Sequence, residues 1–355
     1  MRVLTSLLIV ALVIAGLVVG RDFLIPLTIA FLATTLIAAT SDRLERFGLP
    51  GSLSLLGALA VFLAGLGAVI YILSGQIDAI TEAWPRYVQR LEGLADRASE
   101  WLGSDISEKF SEALANLNLA RTVPGLLGSA GSFLSSFILI SLYVGFMLAE
   151  RGQVTGKLGH LFTSEEQNTR AKKTVGDIVS GIRDYIWIKT LMSVFTAAVS
   201  YAVLKWLGVD FSETWALLIF LLNYIPSIGS VLGVVFPALL ALVQFDTLEP
   251  FLIIVGVLAV IQFIIGNVIE PMMMGRSFNL GAFTVIVALM FWSAIWGIAG
   301  AFLAVPITAA FVILCREIEG WQWIAVLLSN ERTRIARKPA PAASSDVGTT
   351  APSST

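Results

Sequence analysis

The chain has one cysteine, Cys315, and one histidine, His160, in 355 residues. Those scarcities exclude a disulfide framework and leave no second imidazole for a metal pair or a catalytic triad. Charge is scarce as well: 14% of residues are Asp, Glu, Lys or Arg, against about 25% in ordinary soluble domains. No glycine loop of the phosphate-cradling type occurs, so ATP is not expected as the energy source. The "GSVLG" stretch at 229–233 lacks the G-x-S-x-G spacing of a nucleophile elbow. No catalytic residue, cofactor or metal is therefore expected. A net charge of −2 points to no nucleic-acid partner.

What is abundant is apolar surface, at 57% of residues with a mean hydropathy of +0.85. A soluble core cannot hide that much, so the expected solvent is a lipid bilayer. Its hydrocarbon core of ~30 Å takes about 20 apolar residues as a helix. Uncharged runs at 3–20, 23–40, 52–74, 127–149, 190–204 and 250–269 each fit one crossing, 190–204 with the help of its flanks. The first two are separated only by Arg21 and Asp22 and read as a retained helical hairpin rather than a cleaved leader. Lys189 and Lys205 bracket the fifth run and are placed to snorkel toward headgroups.

Two runs refuse to fit. Residues 214–245 hold 32 residues without a charge and 277–315 hold 39. As straight helices they would reach about 48 and 58 Å, too long for one comfortable crossing and too short for two. Each carries breakers near its middle: Asn223, Pro226, Gly229 and Gly233 in the first, Gly297 and Gly300 in the second. Each also has a proline in its second arm, Pro237 and Pro306. Helices break inside a membrane only where the freed backbone is covered by protein or lines a wet cavity. Paired interrupted segments are the sequence pointer to a transporter's binding site. Two re-entrant hairpins with tips near 223–230 and 293–300 are thus expected, with long tilted kinked helices as the alternative.

The predicted fold is therefore all-α and polytopic, with about six full transmembrane helices, two broken hairpins and a helical insertion outside the membrane. Its parts are three crossings in 1–74, an outer amphipathic segment at 75–122 and a fourth crossing at 123–149. A cytoplasmic linker at 150–185, a core at 186–318 broken within 214–245 and 283–315, and a tail at 319–355 complete it. The tail is Pro/Ser/Thr/Ala-rich and expected to be disordered after about residue 338. Lysine and arginine cluster in 150–185 and after the last apolar run, which assigns both regions and both termini to the cytoplasm. In the outer segment Ile77, Ile80, Trp84, Tyr87, Leu91, Leu94, Ala98 and Trp101 form a heptad seam. Pro85 is expected to kink or restart that helix, and Asp105 with Glu108 to begin another. The seam is expected to lie on the chain itself or on the headgroups or, alternatively, to join one protomer to another. Thr163 and Glu166 have capping-box spacing for a helix running through "GIRDYIWIK" into the fifth crossing.

The polar inventory within the apolar runs is short: Asn223, Tyr224, Gln262, Asn267, Glu270 and hydroxyls such as Ser227, Ser230 and Ser293. Such groups are costly at depth and face a cavity or a partner helix. Glu270 and Asn267, three apart, fall on one side of their helix. No charge lies near the centre of any run, which favours a polar but uncharged solute.

"NYIPSIGSVLG", "NVIEPMMMGRSFNL" and "FWSAIWGIAGAFLAVPITA", in that order over about 223–310, strongly resemble the autoinducer-2 exporter family of bacterial membrane proteins. The resemblance implies an oligomeric inner-membrane transporter of a small, polar, furanose-derived signal, moved outward. Some relatives are linked instead to sodium/proton exchange. Asn223, Pro226 and Gly229 match one family block, Asn267, Glu270, Pro271 and Gly275 a second, and Gly297, Gly300 and Pro306 a third. Ser230 and Ala282 stand where the family often has proline. The expected pathway residues are Asn223, Tyr224, Pro226, Gly229, Gln262, Asn267, Glu270, Gly297 and Gly300, with structural breaks at Pro237, Pro271, Gly275 and Pro306. Alternatives are a sodium/proton antiporter using Glu270 and a membrane scaffold that transports nothing. The expected partners are the bilayer, the solute and further copies of the chain.

Overall fold

A computed structural model describes residues 2–102, 119–150, 164–274, 280–318 and 320–329, and among them every regular element is helical. Five of these helices are long and apolar enough to cross a bilayer: Arg21–Arg46, Gly51–Ala83, Glu165–Trp206, Glu249–Met273 and Ala282–Glu317. Shorter apolar helices cover Leu7–Val19, Ser135–Glu150, Ser212–Leu222 and Ile228–Gln244. The all-α polytopic expectation holds. The disordered-tail expectation falls outside the described residues.

The expected N-terminal hairpin does not form. Between α1 (Arg2–Val19) and α2 (Arg21–Arg46), the Gly20 N–H donates to Gly16 O at 2.8 Å and Leu24 N–H donates to Gly20 O at 2.8 Å. Gly20 thus ends α1 and begins α2 in a near-helical conformation, so the chain bends there instead of folding back. Arg21 and Asp22 are too few residues to reverse a helix. The true reversal comes at Gly48 (φ +94°), a left-handed conformation that favours glycine, and leads into α3 (Gly51–Leu102). Ala30, Ala33 and Ile37 of α2 then pack with Ala58 of α3 and Val144 of α4 (Leu119–Glu150). Small residues allow this close approach where lipid supplies no hydrophobic drive.

Helix α3 is 52 residues long, about 78 Å, and continues through Pro85 without restarting. Its distal arm packs on the chain itself. Buried Tyr87 donates to Asp210 Oδ2 at 2.6 Å, and Arg90 donates to Val243 O at 3.2 Å and to Gln244 O. Burial, then the Asp210 contact, raise the Tyr87 pKa, so the phenol keeps its proton and remains a donor. The side chains of Ile77, Trp84, Leu94, Ala98 and Trp101, and the expected start at Asp105 and Glu108, lie outside the described residues.

Helix α5 (Glu165–Trp206) runs 42 residues without a break, as "GIRDYIWIK" implied. Ser164 takes its N-cap position without a side-chain bond, so the start falls one residue past the expected Thr163. From its far end the chain enters α6 (Ser212–Leu222), reverses over 223–227 and returns as α7 (Ile228–Gln244). Three pairings define an antiparallel hairpin: Leu222 meets Gly229, Ile219 meets Gly233, and the Trp215 and Phe236 rings lie 6.4 Å apart. Gln244 closes the mouth, accepting from Asp210 N–H at 2.8 Å and donating to Gly208 O at 2.7 Å. Both ends of 212–244 therefore lie on one face, which excludes a single kinked crossing.

The chain continues through α8 (Glu249–Ile264), a π-helical turn at Ile265–Ile269 and α9 (Glu270–Met274). The second hairpin is α10 (Ala282–Glu317), whose helical geometry fails at Gly297 (φ 62°, ψ −139°). Trp292 Nε1 donates to Thr308 Oγ1 at 3.1 Å. On a straight helix those residues would stand about 24 Å apart, so the two arms fold back on each other. Leu280, Val312 and Cys315 gather at its mouth against Ala325 of α11 (Gln322–Leu328).

Pro237 and Pro306, expected as breaks, sit inside continuous helical arms and are fully buried. Each proline removes one ladder bond, yet the helix continues on both sides of it. The reversals fall where glycine is required instead. A Cβ on Gly229 would stand 1.8 Å from Leu222 O, and one on Gly300 1.8 Å from Trp292 O. Gly229→Ala and Gly300→Ala should each cost more than about 3 kcal/mol. Gly256→Ala, with nothing within 4 Å, should leave thermal unfolding of the detergent-solubilised protein unchanged. Wild-type melting of either hairpin variant would contradict the close approach.

Candidate functional site

The two hairpins enter from opposite ends of α5. The first opens beside Trp206, since α6 follows from it through Gly208. The second opens beside Glu165, where Arg170 Nε donates to Glu317 Oε2 at 3.0 Å. Their tips meet beside the middle of α5. Tyr224 stacks on Phe302 with ring centroids 4.5 Å apart, and Ile225 shares a buried cluster with Leu289, Ala301 and Ala304.

Against this junction α5 presents a polar stripe. Lys189, Ser193, Thr196 and Ser200 step by four, three and four residues and are all buried. That spacing keeps them on one helical face. Lys189 Nζ donates to Glu270 Oε1 at 2.6 Å, their side chains only 6% and 14% exposed. The adjacent Thr190 Oγ1 shares a 2.7 Å hydrogen bond with Tyr224 Oη. Asn223 Nδ2 donates to Ser193 Oγ at 3.0 Å. The π-helical turn explains why Glu270 arrives here. Its extra residue lets the chain return to one face after about eight residues, which brings Glu270 under buried Gln262.

The structure thus brings Asn223, Tyr224 and Glu270 together. Pro226 and Gly229 shape the reversal next to Ser227, which takes a left-handed φ of 64°. Gln262 reaches α7, where a Cβ on Gly233 would stand 2.9 Å from its Nε2. Gly297 and Gly300 form the second hairpin's turn. Asn267 is placed differently from expectation: it is exposed and donates to Phe263 O of its own helix at 3.2 Å, because the π-helical turn separates it from the Glu270 face. Pro271 is exposed in the first turn of α9, and Gly275 lies outside the described residues.

Lys189 is the residue that sequence reasoning misplaced. It does not snorkel, because α5 extends well beyond the apolar run on the Glu165 side and carries the lysine inward. Charge is therefore present at the junction, contrary to expectation, as a closed pair. The missed signal was the hydroxyl periodicity Ser193, Thr196, Ser200 continuing the Lys189 face.

The transporter family described as AI-2E matches residues 7–320. The chain belongs to the AI-2E transporter family. Among AI-2E relatives, the AI-2 transport protein TqsA of Escherichia coli K12 is 30% identical over 338 residues, covering 93% of this chain and 96% of its own. The putative transport protein YhhT of the same organism is 24% identical over 338 residues, with 94% and 96% covered. YrrI of Bacillus subtilis is 23% identical over 306 residues, with 83% and 86% covered. The chain is thus an integral membrane transporter, and the residues at its hairpin junction are the natural candidates for what an AI-2E protein does.

A buried pair is costly to break, because one charge is left without its partner, yet a well-packed apolar replacement of both is often tolerated. Lys189→Met and Glu270→Leu should each lower stability by about 3–5 kcal/mol, while the double variant recovers to within about 1 kcal/mol. Thermal unfolding read alongside transport separates the roles. Recovered melting without recovered transport assigns the pair to function, and recovery of both would make it structural.

Proposed function

We propose that the hairpin junction is the transport site and that the chain moves a small, polar, hydroxyl-bearing organic solute out of the cell, with autoinducer-2 as the leading candidate. The observation that carries this reading is the Lys189–Glu270 pair enclosed with Asn223, Tyr224 and Thr190 where two opposed hairpins meet. Donors and acceptors alternate there at hydrogen-bonding range. A solute rich in hydroxyls can exchange its hydration for them, one hydroxyl donating to Glu270 and another accepting from Lys189 or Asn223. The printed name of TqsA as an AI-2 transport protein supports the substrate class. The chain performs no catalysis, resides in the bacterial cytoplasmic membrane and works as a homo-oligomer. Arg170, Lys172 and Lys173 at the start of α5 and Arg316 at the second hairpin's mouth support a cytoplasmic side for that face through the positive-inside bias.

The ion pair itself favours a second reading, sodium/proton antiport. A carboxylate held by a lysine at mid-membrane can exchange that lysine for a cation or a proton. Purified protein in sealed proteoliposomes distinguishes the two. For the solute reading, autoinducer-2 flux should proceed without an ion gradient and fall about tenfold in Asn223→Ala, a loss of one shared hydrogen bond at a charged site. A sodium-driven pH change that disappears in Glu270→Gln, with no solute flux, would replace it with the antiport reading.

A further inference from the structure

Helix α5 is built differently on the two sides of the junction. Toward Glu165 its buried face is Ile182, Tyr185 and Ile186, packed with Trp296 and Leu303 of the second hairpin and Leu32 of α2. Toward Trp206 the buried face carries Ser193, Thr196 and Ser200, with Met192 beside them and Leu204 at the end. That polar half lies along α6. Thr190 meets Tyr224, Ser193 meets Asn223, and Tyr201 Oη donates to Glu213 Oε1 at 3.0 Å. Ser200 and Thr214 are the residues next to that Tyr201–Glu213 contact, one on each helix.

At that level Ser200 Oγ, Thr214 Oγ1 and Trp215 Nε1 are all buried, and none has a hydrogen-bond partner. Each unsatisfied buried group costs about 1–3 kcal/mol, so three at one depth are not the mark of a dry seam. A buried water needs two to four polar partners, and two hydroxyls with an indole N–H supply such a set. We propose that the α5–α6 seam is a hydrated route by which water and small hydroxylated solutes pass between the Trp206 face and the Lys189–Glu270 junction. Ile182, Ile186, Trp296 and Leu303 form the dry seal on the opposite side. Trp296 is anchored in that seal by Nε1 donating to Leu17 O at 3.0 Å, which ties the seal to α1. The route rests on the reading of the junction as the transport site, but its test does not need transport.

The test uses full-length protein in liposomes on a Cys315→Ser background, with single cysteines introduced by Ser200→Cys, Thr214→Cys, Ile182→Cys and Val194→Cys. Val194 is 51% exposed on the outer surface of α5 and reports the lipid-facing rate. Thiol reactivity follows access of the thiolate to water, so a charged methanethiosulfonate reagent should modify positions 200 and 214 at least about tenfold faster than 182 and 194. Adding Trp296→Ala should raise the rate at position 182 toward that at 200. Equal rates at 200 and 194 would overturn the route, and fast labelling at 182 with Trp296 intact would overturn the seal. If labelling follows this pattern but no solute flux is found, the transport reading fails and the hydrated seam stands. Solute flux with position 200 unreactive would sink the seam alone.

Discussion

Hydrocarbon offers no hydrogen bonds, so a chain that reverses inside a membrane must cover each backbone group it frees with protein or turn it toward water. Among the described residues the apolar runs reverse at 223–227 and at Gly297; Asn223, Tyr224 and Ile225 are buried at the first, while Gly297 and Ile298 are exposed at the second. The first tip stacks Tyr224 on Phe302 and buries Ile225 among Leu289, Ala301 and Ala304. Gly229 and Gly300 make the same adjustment in both hairpins, letting the returning arm touch the carbonyl of the departing one. The meeting of the tips also determines where α5 can lie, since Thr190 and Ser193 bond the first tip while Ile182 and Ile186 pack under the second.

The charge at the junction follows from the same geometry. Alone, Lys189 or Glu270 would be prohibitive at this depth; together they form a short pair that is neutral as a unit. The pair links α5 to the π-helical turn and α9. A movement that separates these elements must therefore break the pair or offer each partner a substitute, which a polar solute or a cation can provide. Coupling of solute to conformation thus has a physical basis in the desolvation each charge would otherwise suffer.

The breakers themselves were legible. Asn223, Pro226 and Gly229 in one over-long run and Gly297 and Gly300 in another announced two interruptions, because glycine and proline inside an apolar helix need a reason. Less legible were the positions that depend on neighbours. Pro237 and Pro306 read as breaks but lie in buried arms whose packing tolerates them. Arg21 and Asp22 read as a turn, yet the reversal does not occur there and the chain only bends at Gly20. Asn267 and Glu270 share a face on an ideal helix, but the π-helical turn separates them.

By itself, the sequence determined the solvent, the helical class and the presence of two interrupted segments, because these follow from run lengths and local breakers that no partner can alter. Only the tertiary structure decided that the interruptions face each other from opposite sides, and that Lys189 leaves the headgroups to join Glu270. The reason is physical: local chemistry settles where a helix must break, whereas the partner of a buried charge or a freed carbonyl depends on which segments the fold brings together.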